Sequence, residues 1–275
     1  MITRHLLVIV LAVGLAGCAR TIRFQPHPPA VATPPAAAPV ASPARPGRLI
    51  VGESLSYSIL WLGLEVMRGE LRVADAPAPA EGRSSLTLSA TARSTGLART
   101  LFSVEDTLSA VVDPQTVLPV RFEFTLRHGA TRMAEVITFD RARGLAVSTR
   151  HAEPLAVPPD TRDLLTTYYH LRTVDVAEGQ TLAGEFVAQG RRWPLTAVVH
   201  RRGTLTIPRG VFPAWEVEVQ TPWLEAYLHH RTLWLWVSDD AAHVPLLIRM
   251  KFPLGWLTAL LDDCRPAWPA NSPCI

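Results

Sequence analysis

The sequence predicts a mainly β protein: a single large antiparallel curved sheet, or a partly open β-barrel, with one central helix. Three observations carry this. From Leu49 onward apolar and polar residues alternate with period two. Turn residues such as Asp113-Pro114, His128-Gly129 and Arg209-Gly210 separate the runs. Near the midpoint a single segment switches to helical period. Alternation at period two puts one face of a strand in the core and the other in water, as in antiparallel sheet.

The first residues build no part of that sheet. Arg4 precedes an unbroken apolar run, Leu6–Leu15, which is too short for a transmembrane helix of about 20 residues and has the form of a signal-peptide core. Leu15-Ala16-Gly17-Cys18 follows and resembles the lipobox of bacterial lipoproteins. The resemblance implies a signal peptide over residues 1–17, a lipid on Cys18 and a membrane as partner. Ala19, where Asp would favour retention in the inner membrane, implies the outer membrane, with the protein facing the periplasm. The alternative is an ordinary secretory peptide with a chance cysteine. Residues 18–48 carry Pro26, Pro28, Pro29, Pro34, Pro35, Pro39, Pro43 and Pro46 among alanines. Proline fixes φ and removes donors, so the stretch reads as an extended tether.

The domain proper reads as residues 49–262. The clearest strand patterns are Leu86, Leu88, Ala90 and Ala92; Leu118, Val120, Phe122, Phe124 and Leu126; and Val244, Leu246, Ile248, Met250 and Phe252. Weaker versions cover 55–61, 67–73, 193–199 and 215–219. After Pro158-Pro159, Asp160 is the expected cap of a helix running through Arg172, with Leu164, Leu165, Tyr168 and Leu171 on the face that meets the sheet. Asp163 lies in its first turn, and His170 and Arg172 in its last, where the helix dipole favours them. A Pro-rich tail, 263–275, holds Cys264 and Cys274. With Cys18 assigned to lipid and an oxidising compartment implied, these two are the expected disulfide; two free thiols is the other possibility.

The order of several short segments resembles the bacterial exported family catalogued as domain of unknown function 3108. They are Gly52-Glu53-Ser54-Leu55-Ser56-Tyr57, Trp61-Leu62-Gly63, Asp163-Leu164-Leu165 through Tyr168-Tyr169-His170-Leu171-Arg172, Ile207-Pro208-Arg209-Gly210-Val211-Phe212, and Trp236-Val237-Ser238-Asp239-Asp240 with Pro245. The resemblance implies an exported β domain and supplies no established activity. The lipobox and long tether are additions to what that family requires.

The chain offers no nucleophile elbow, phosphate-cradling glycine loop, HExxH or paired CxxC. No catalytic residue, metal ligand or cofactor is therefore expected. The net charge of +3, almost all arginine and scattered, argues against a nucleic-acid partner. His229-His230 are adjacent and would point to opposite faces of a strand. Asp239-Asp240 with His243 could hold a cation, but a hairpin turn also explains them. Asp160 and Asp163 could form an acid/base pair, but both suit a helix start. Aromatic residues are more suggestive: Trp215, Trp223, Trp234, Trp236 and Trp256 crowd the second half. In Leu233-Trp234-Leu235-Trp236-Val237 both faces are apolar. Such a strand is either covered on both sides or lines a cavity on one. Trp234, Leu235, Trp236 and Val237 are thus the candidate ligand-binding residues. The favoured function is a non-enzymatic envelope module that holds a lipid-like ligand or docks a partner protein; an envelope enzyme acting on glycan or lipid is the alternative.

Overall fold

The computed structural model describes residues 21–27, 49–76, 84–228, 232–252 and 254–266. The expected signal peptide, Cys18, most of the tether, His229-His230 and Cys274 lie outside them.

Sixteen strands form one sheet. In chain order they are β1 (Arg23–Pro26), β2 (Ser54–Trp61), β3 (Leu64–Asp75), β4 (Leu86–Ser94), β5 (Val104–Val112), β6 (Pro119–His128), β7 (Thr131–Asp140), β8 (Leu145–Ser148), β9 (Leu155–Ala156), β10 (Arg162–Asp163), β11 (Thr181–Ala188), β12 (Arg191–Ile207), β13 (Gly210–Gln220), β14 (Thr232–Ser238), β15 (Pro245–Phe252) and β16 (Gly255–Arg265). Among the described residues three helices join them: α1 (Ala98–Leu101), α2 (Leu164–Thr173) and α3 (Pro222–Leu228).

Across the sheet the order runs β10 to β16, then β2 to β9, with β1 pairing β12 off this path. Sequence neighbours pair as antiparallel hairpins, which is why the period-two pattern was so regular. The join between halves is β16 against β2, with Leu261 opposite Tyr57 and Ala259 opposite Ile59. β9 and β10 form the two ends of the path, so the sheet is not closed into a barrel. Side chains bridge the seam instead of a ladder. The Glu135 carboxylate on β7 accepts from Ser148 on β8 (2.6 Å) and from the Gln189 backbone N–H in the β11–β12 turn (3.0 Å).

The central helix starts later than Asp160. Asp160 sits in a turn closed by the Thr161 N–H on Pro158 O. Arg162 and Asp163 then pair in parallel with Phe186 and Val187, so the chain is extended beyond the expected cap before the helix begins. Asp163 then caps α2: its Oδ1 accepts from the N–H groups of Leu165 (2.7 Å) and Thr166 (2.9 Å), while Thr166 Oγ1 accepts from the Asp163 N–H. This reciprocal box satisfies donors that a helix start would otherwise leave unpaired. Leu165 and Tyr169 pack into a core with Leu88, Phe122, Ile137 and Phe139 from β4, β6 and β7.

Two boundaries differ from the sequence reading. β16 continues to Arg265, past 262, because Cys264 and Arg265 still pair with Leu55 and Ser54. Within the stretch read as tether, β1 pairs with β12, Phe24 standing opposite Leu205 and Pro26 opposite Gly203. A four-residue strand next to prolines is too short to show as periodicity, and its edge position suits a proline without an N–H. Gly203 makes room for it: a Cβ there would sit 2.5 Å from both Gln25 O and the Phe24 ring.

Candidate functional site

Beneath α2 and α3 the sheet does not fill. Between these helices and the inner faces of β2 to β5 and β11 to β16 lies a partly open cavity of about 310 Å³, lined almost wholly by apolar atoms. Its origin can be read from the register. Tyr57 on β2 stands opposite Gly69 on β3, and Gly69 opposite Ala92 on β4. One large side chain is thus followed by two small ones along the floor. Gly69 keeps ordinary backbone geometry, and a Cβ there would meet Ile59 Cδ1 at 3.4 Å. The backbone does not require glycine; what its absence of a side chain supplies is space. Ala259 on β16 continues the low floor, and Leu108, Leu195, Val219, Leu233, Leu235 and Ile248 form the walls. The roof is Leu164, Tyr168 and Leu171 of α2 with Trp223 and Leu224 of α3. Trp223 is held by an edge-to-face contact with Phe186, centroids 6.2 Å apart.

Next to the cavity, at the C-terminal end of α2, sits a buried polar cluster. Arg172 meets Glu53 through two parallel bonds, Nη1 to Oε1 at 2.6 Å and Nη2 to Oε2 at 2.9 Å, with both side chains essentially inaccessible. Arg172 also donates to Ala242 O. The hydroxyls of Tyr57 and Tyr169 donate to the backbone oxygens of Pro245 (2.9 Å) and Arg72 (3.3 Å). Burial raises all three phenols, Tyr57, Tyr168 and Tyr169, above the ordinary tyrosine range. These groups are neutral or paired, and their bonds hold α2 to β2, β3 and the turn before β15. Two other groups at the helix, buried Asp163 and half-buried His170, are shifted from their ordinary ranges. Burial pushes the Asp163 carboxyl up to about 6 against its capping bonds. Burial, helped by the Arg162 charge, brings His170 down to about 4.

Of the four residues proposed from the double-sided apolar strand, Leu235 lines the cavity. Val237 lies on the same face, packed with Val174, Val199 and Val217. Trp234 and Trp236 occupy the opposite face. Trp236 meets Phe24 of β1 (6.2 Å, near perpendicular), and Trp234 stacks between His200 and Trp236. The strand is apolar on both faces because one side meets the cavity and core while β1 covers the other. Asp239 and Asp240 are used in the turn. Asp240 Oδ1 accepts from Ser238 Oγ and from the N–H groups of Ala242 and His243, while Asp239 bonds Trp215 Nε1 and Arg202. No group of three metal-ligating side chains occurs among the described residues. Cys264 is disulfide-bonded; Cys274, its expected partner, is outside the described residues. Sequence reasoning named Trp223 only as one of the crowded tryptophans and Ala92 only in a strand pattern, and it did not reach Gly69. A glycine inside a strand pattern was the available signal.

Among solved structures, a β-barrel-like protein of the domain of unknown function DUF1849 from Brucella abortus is similar in fold. It has 9% identity and a TM-score of 0.50, with 78% of this chain and 98% of that one covered. A Bacteroides fragilis protein with a YmcC-like fold aligns over 82% of this chain and 100% of its own at 12% identity, with a TM-score of 0.33. No curated protein matches the chain. The family model described as "Protein of unknown function (DUF3108)" matches residues 56–262, which hold most of the sheet, α2 and nearly all of the cavity wall, and the chain belongs to that family.

Proposed function

We propose that this protein is a non-catalytic, lipid-anchored module of the bacterial envelope that holds an apolar guest, of the acyl-chain class, in the cavity under α2 and α3. The carrying observation is the cavity itself: about 310 Å³, almost wholly apolar, floored by Gly69, Ala92 and Ala259. Protein interiors normally close such space, since unfilled volume forfeits packing at roughly 24 cal/mol per Å³. At about 30 Å³ per small group, the volume admits roughly ten methylene-sized units. Each buried methylene contributes about 0.8 kcal/mol. A longer chain would project from the open side.

The polar groups near the cavity favour holding over chemistry. Glu53 and Arg172 are bonded to each other, and Asp163 to its own helix. The apolar run Leu6–Leu15 followed by Cys18 supports anchoring, and Ala19 supports the outer membrane. The direct test is displacement of a fluorescent fatty acid by phospholipid. Leu235→Trp, which projects bulk into the cavity, should weaken probe binding at least tenfold while the fold persists. A hydrolytic activity abolished by one side-chain substitution would overturn the non-catalytic reading.

A further inference from the structure

Among the described residues, six of the nine large apolar side chains that are substantially exposed fall at one end of the sheet: Leu62, Leu64, Leu97, Leu101, Leu254 and Trp256. The register places them together. Trp61 pairs with both Leu64 and Leu257, so the β2–β3 and β15–β16 hairpin tips adjoin. A Cβ on Gly255 would lie 3.1 Å from Leu62. The loop that carries α1 leaves β4 at Ser94, opposite Met67, and bonds back to Val66. Leu97 is 80% exposed there. The same strands, a few residues further in, line the cavity through Ile59 and Ala259.

Two features separate this rim from ordinary surface. Leu62 and Leu254 both have left-handed backbones, with φ of 52° and 64°. That conformation strains a leucine and suits glycine or asparagine. Local stability therefore favours another residue at both tips, where leucine stays 46% and 63% exposed and gains only partial burial in return. The second feature is charge. The acids Glu65, Glu105 and Asp106 at this end are already bonded, to Arg68, to Arg93 and Arg127, and to His128. Exposed Arg99, Arg132 and Lys251 add positive charge with no carboxylate partner among the described residues. Apolar prongs with an interfacial tryptophan, with unpaired cations on the same end of the sheet, match an anionic bilayer surface: leucines enter the acyl boundary while the cations meet headgroup phosphates. A second copy of the chain would bring like charges together, which disfavours that occupant.

We propose that this rim docks on an anionic lipid surface, presenting the cavity end of the sheet to it. The inference goes beyond the cavity reading and does not require the cavity to be occupied. Its test places a photoreactive residue at Leu97 of the full chain, with the exposed wall position Val147 as control, in vesicles containing phosphatidylglycerol. Lipid adducts should form at Leu97 and not at Val147. Each cation near such a surface is worth about fivefold in affinity, so the three together give roughly a hundredfold. Yield at Leu97 should accordingly collapse in purely zwitterionic vesicles and in high salt. Leu62→Asn with Leu254→Asn should remove the Leu97 adducts while the melting temperature holds or rises, because asparagine relieves the left-handed strain. Protein–protein adducts at Leu97, equal yields at the two positions, or no lipid adduct would overturn the proposal. So would a double variant that melts earlier with adducts intact. Leu235→Trp should leave the rim adducts unchanged, so failure of rim docking and failure of cavity binding are told apart.

Discussion

Removing Arg172 should cost far more than removing any arginine on the surface. The guanidinium is buried, bonded at 2.6 and 2.9 Å to a carboxylate that is itself inaccessible. In Arg172→Met the apolar part of the side chain is kept, while Glu53 is left as a buried charge with no cation beside it. Breaking such a pair from one side typically costs about 3–5 kcal/mol. For a domain of this size, each kcal/mol is about 2–4 °C in melting temperature, so a fall of roughly 6–20 °C is expected. Replacing both partners, as Glu53→Leu with Arg172→Met, removes the stranded charge. That double variant should recover most of the loss, because apolar replacement of a whole buried pair is often neutral or stabilising. The defect of the single variant should also shrink in acid, since an unpaired buried carboxylate takes up a proton readily. Urea unfolding of the four proteins in the double-mutant cycle, at pH 8 and pH 5, measures all of this. Additive single effects, or a loss under about 1 kcal/mol for Arg172→Met, would refute the idea that this pair fastens α2 to the sheet.

Other expectations follow from single features. Asp163 and His170 oppose one another in acid: the fold gains stability from Asp163 as pH falls from about 6 toward 3.8, and loses it through His170 as pH falls from 6.5 toward about 4. Each effect is worth up to ~3 kcal/mol, two pH units or slightly more at 1.36 kcal/mol each. Asp163→Asn should therefore steepen the loss of stability between pH 6.5 and 4, and His170→Gln should flatten or reverse it, as read from urea midpoints across that range. Gly203→Val should expel β1 without unfolding the sheet, because the new side chain would overlap Phe24 and the Gln25 carbonyl; proteolysis near residue 24 should accelerate, and unchanged cleavage would count against β1 docking. Cys18→Ser should release the protein from membranes if Cys18 carries the lipid, and a wild-type protein that takes up no fatty-acid label would contradict the anchor.

The sheet was legible because nearly every strand pairs with a sequence neighbour, so period two and turn residues alone specify most of it. The helix was legible from the Leu164 to Leu171 spacing, but its start was not. Asp160 and Asp163 are equally good caps in isolation, and only the pairing of Arg162 with Phe186 on a distant strand selects the second. β1 was hidden for a related reason: its partner is almost 180 residues away, and its four residues sit among prolines. At the cavity, the apolar strand pointed to Leu235. The space itself depends on Gly69 and Ala92 standing side by side on adjacent strands, which cannot be read along the chain. The ion pair of Glu53 and Arg172 joins residues 119 positions apart, and neither looked unusual in its own segment beyond belonging to the motifs that resemble the family.

The central claim is that the space under α2 and α3 is a binding site rather than a packing defect. Native mass spectrometry of the full chain, purified from a bacterial host in a mild detergent, tests it most directly. The account predicts a co-purifying species whose mass matches a lipid bearing an acyl chain. Occupancy should fall sharply in Leu235→Trp, while any lipid covalently attached at Cys18 remains in both proteins. A chain that carries no such guest, or one whose guest is retained equally with tryptophan at position 235, would contradict it.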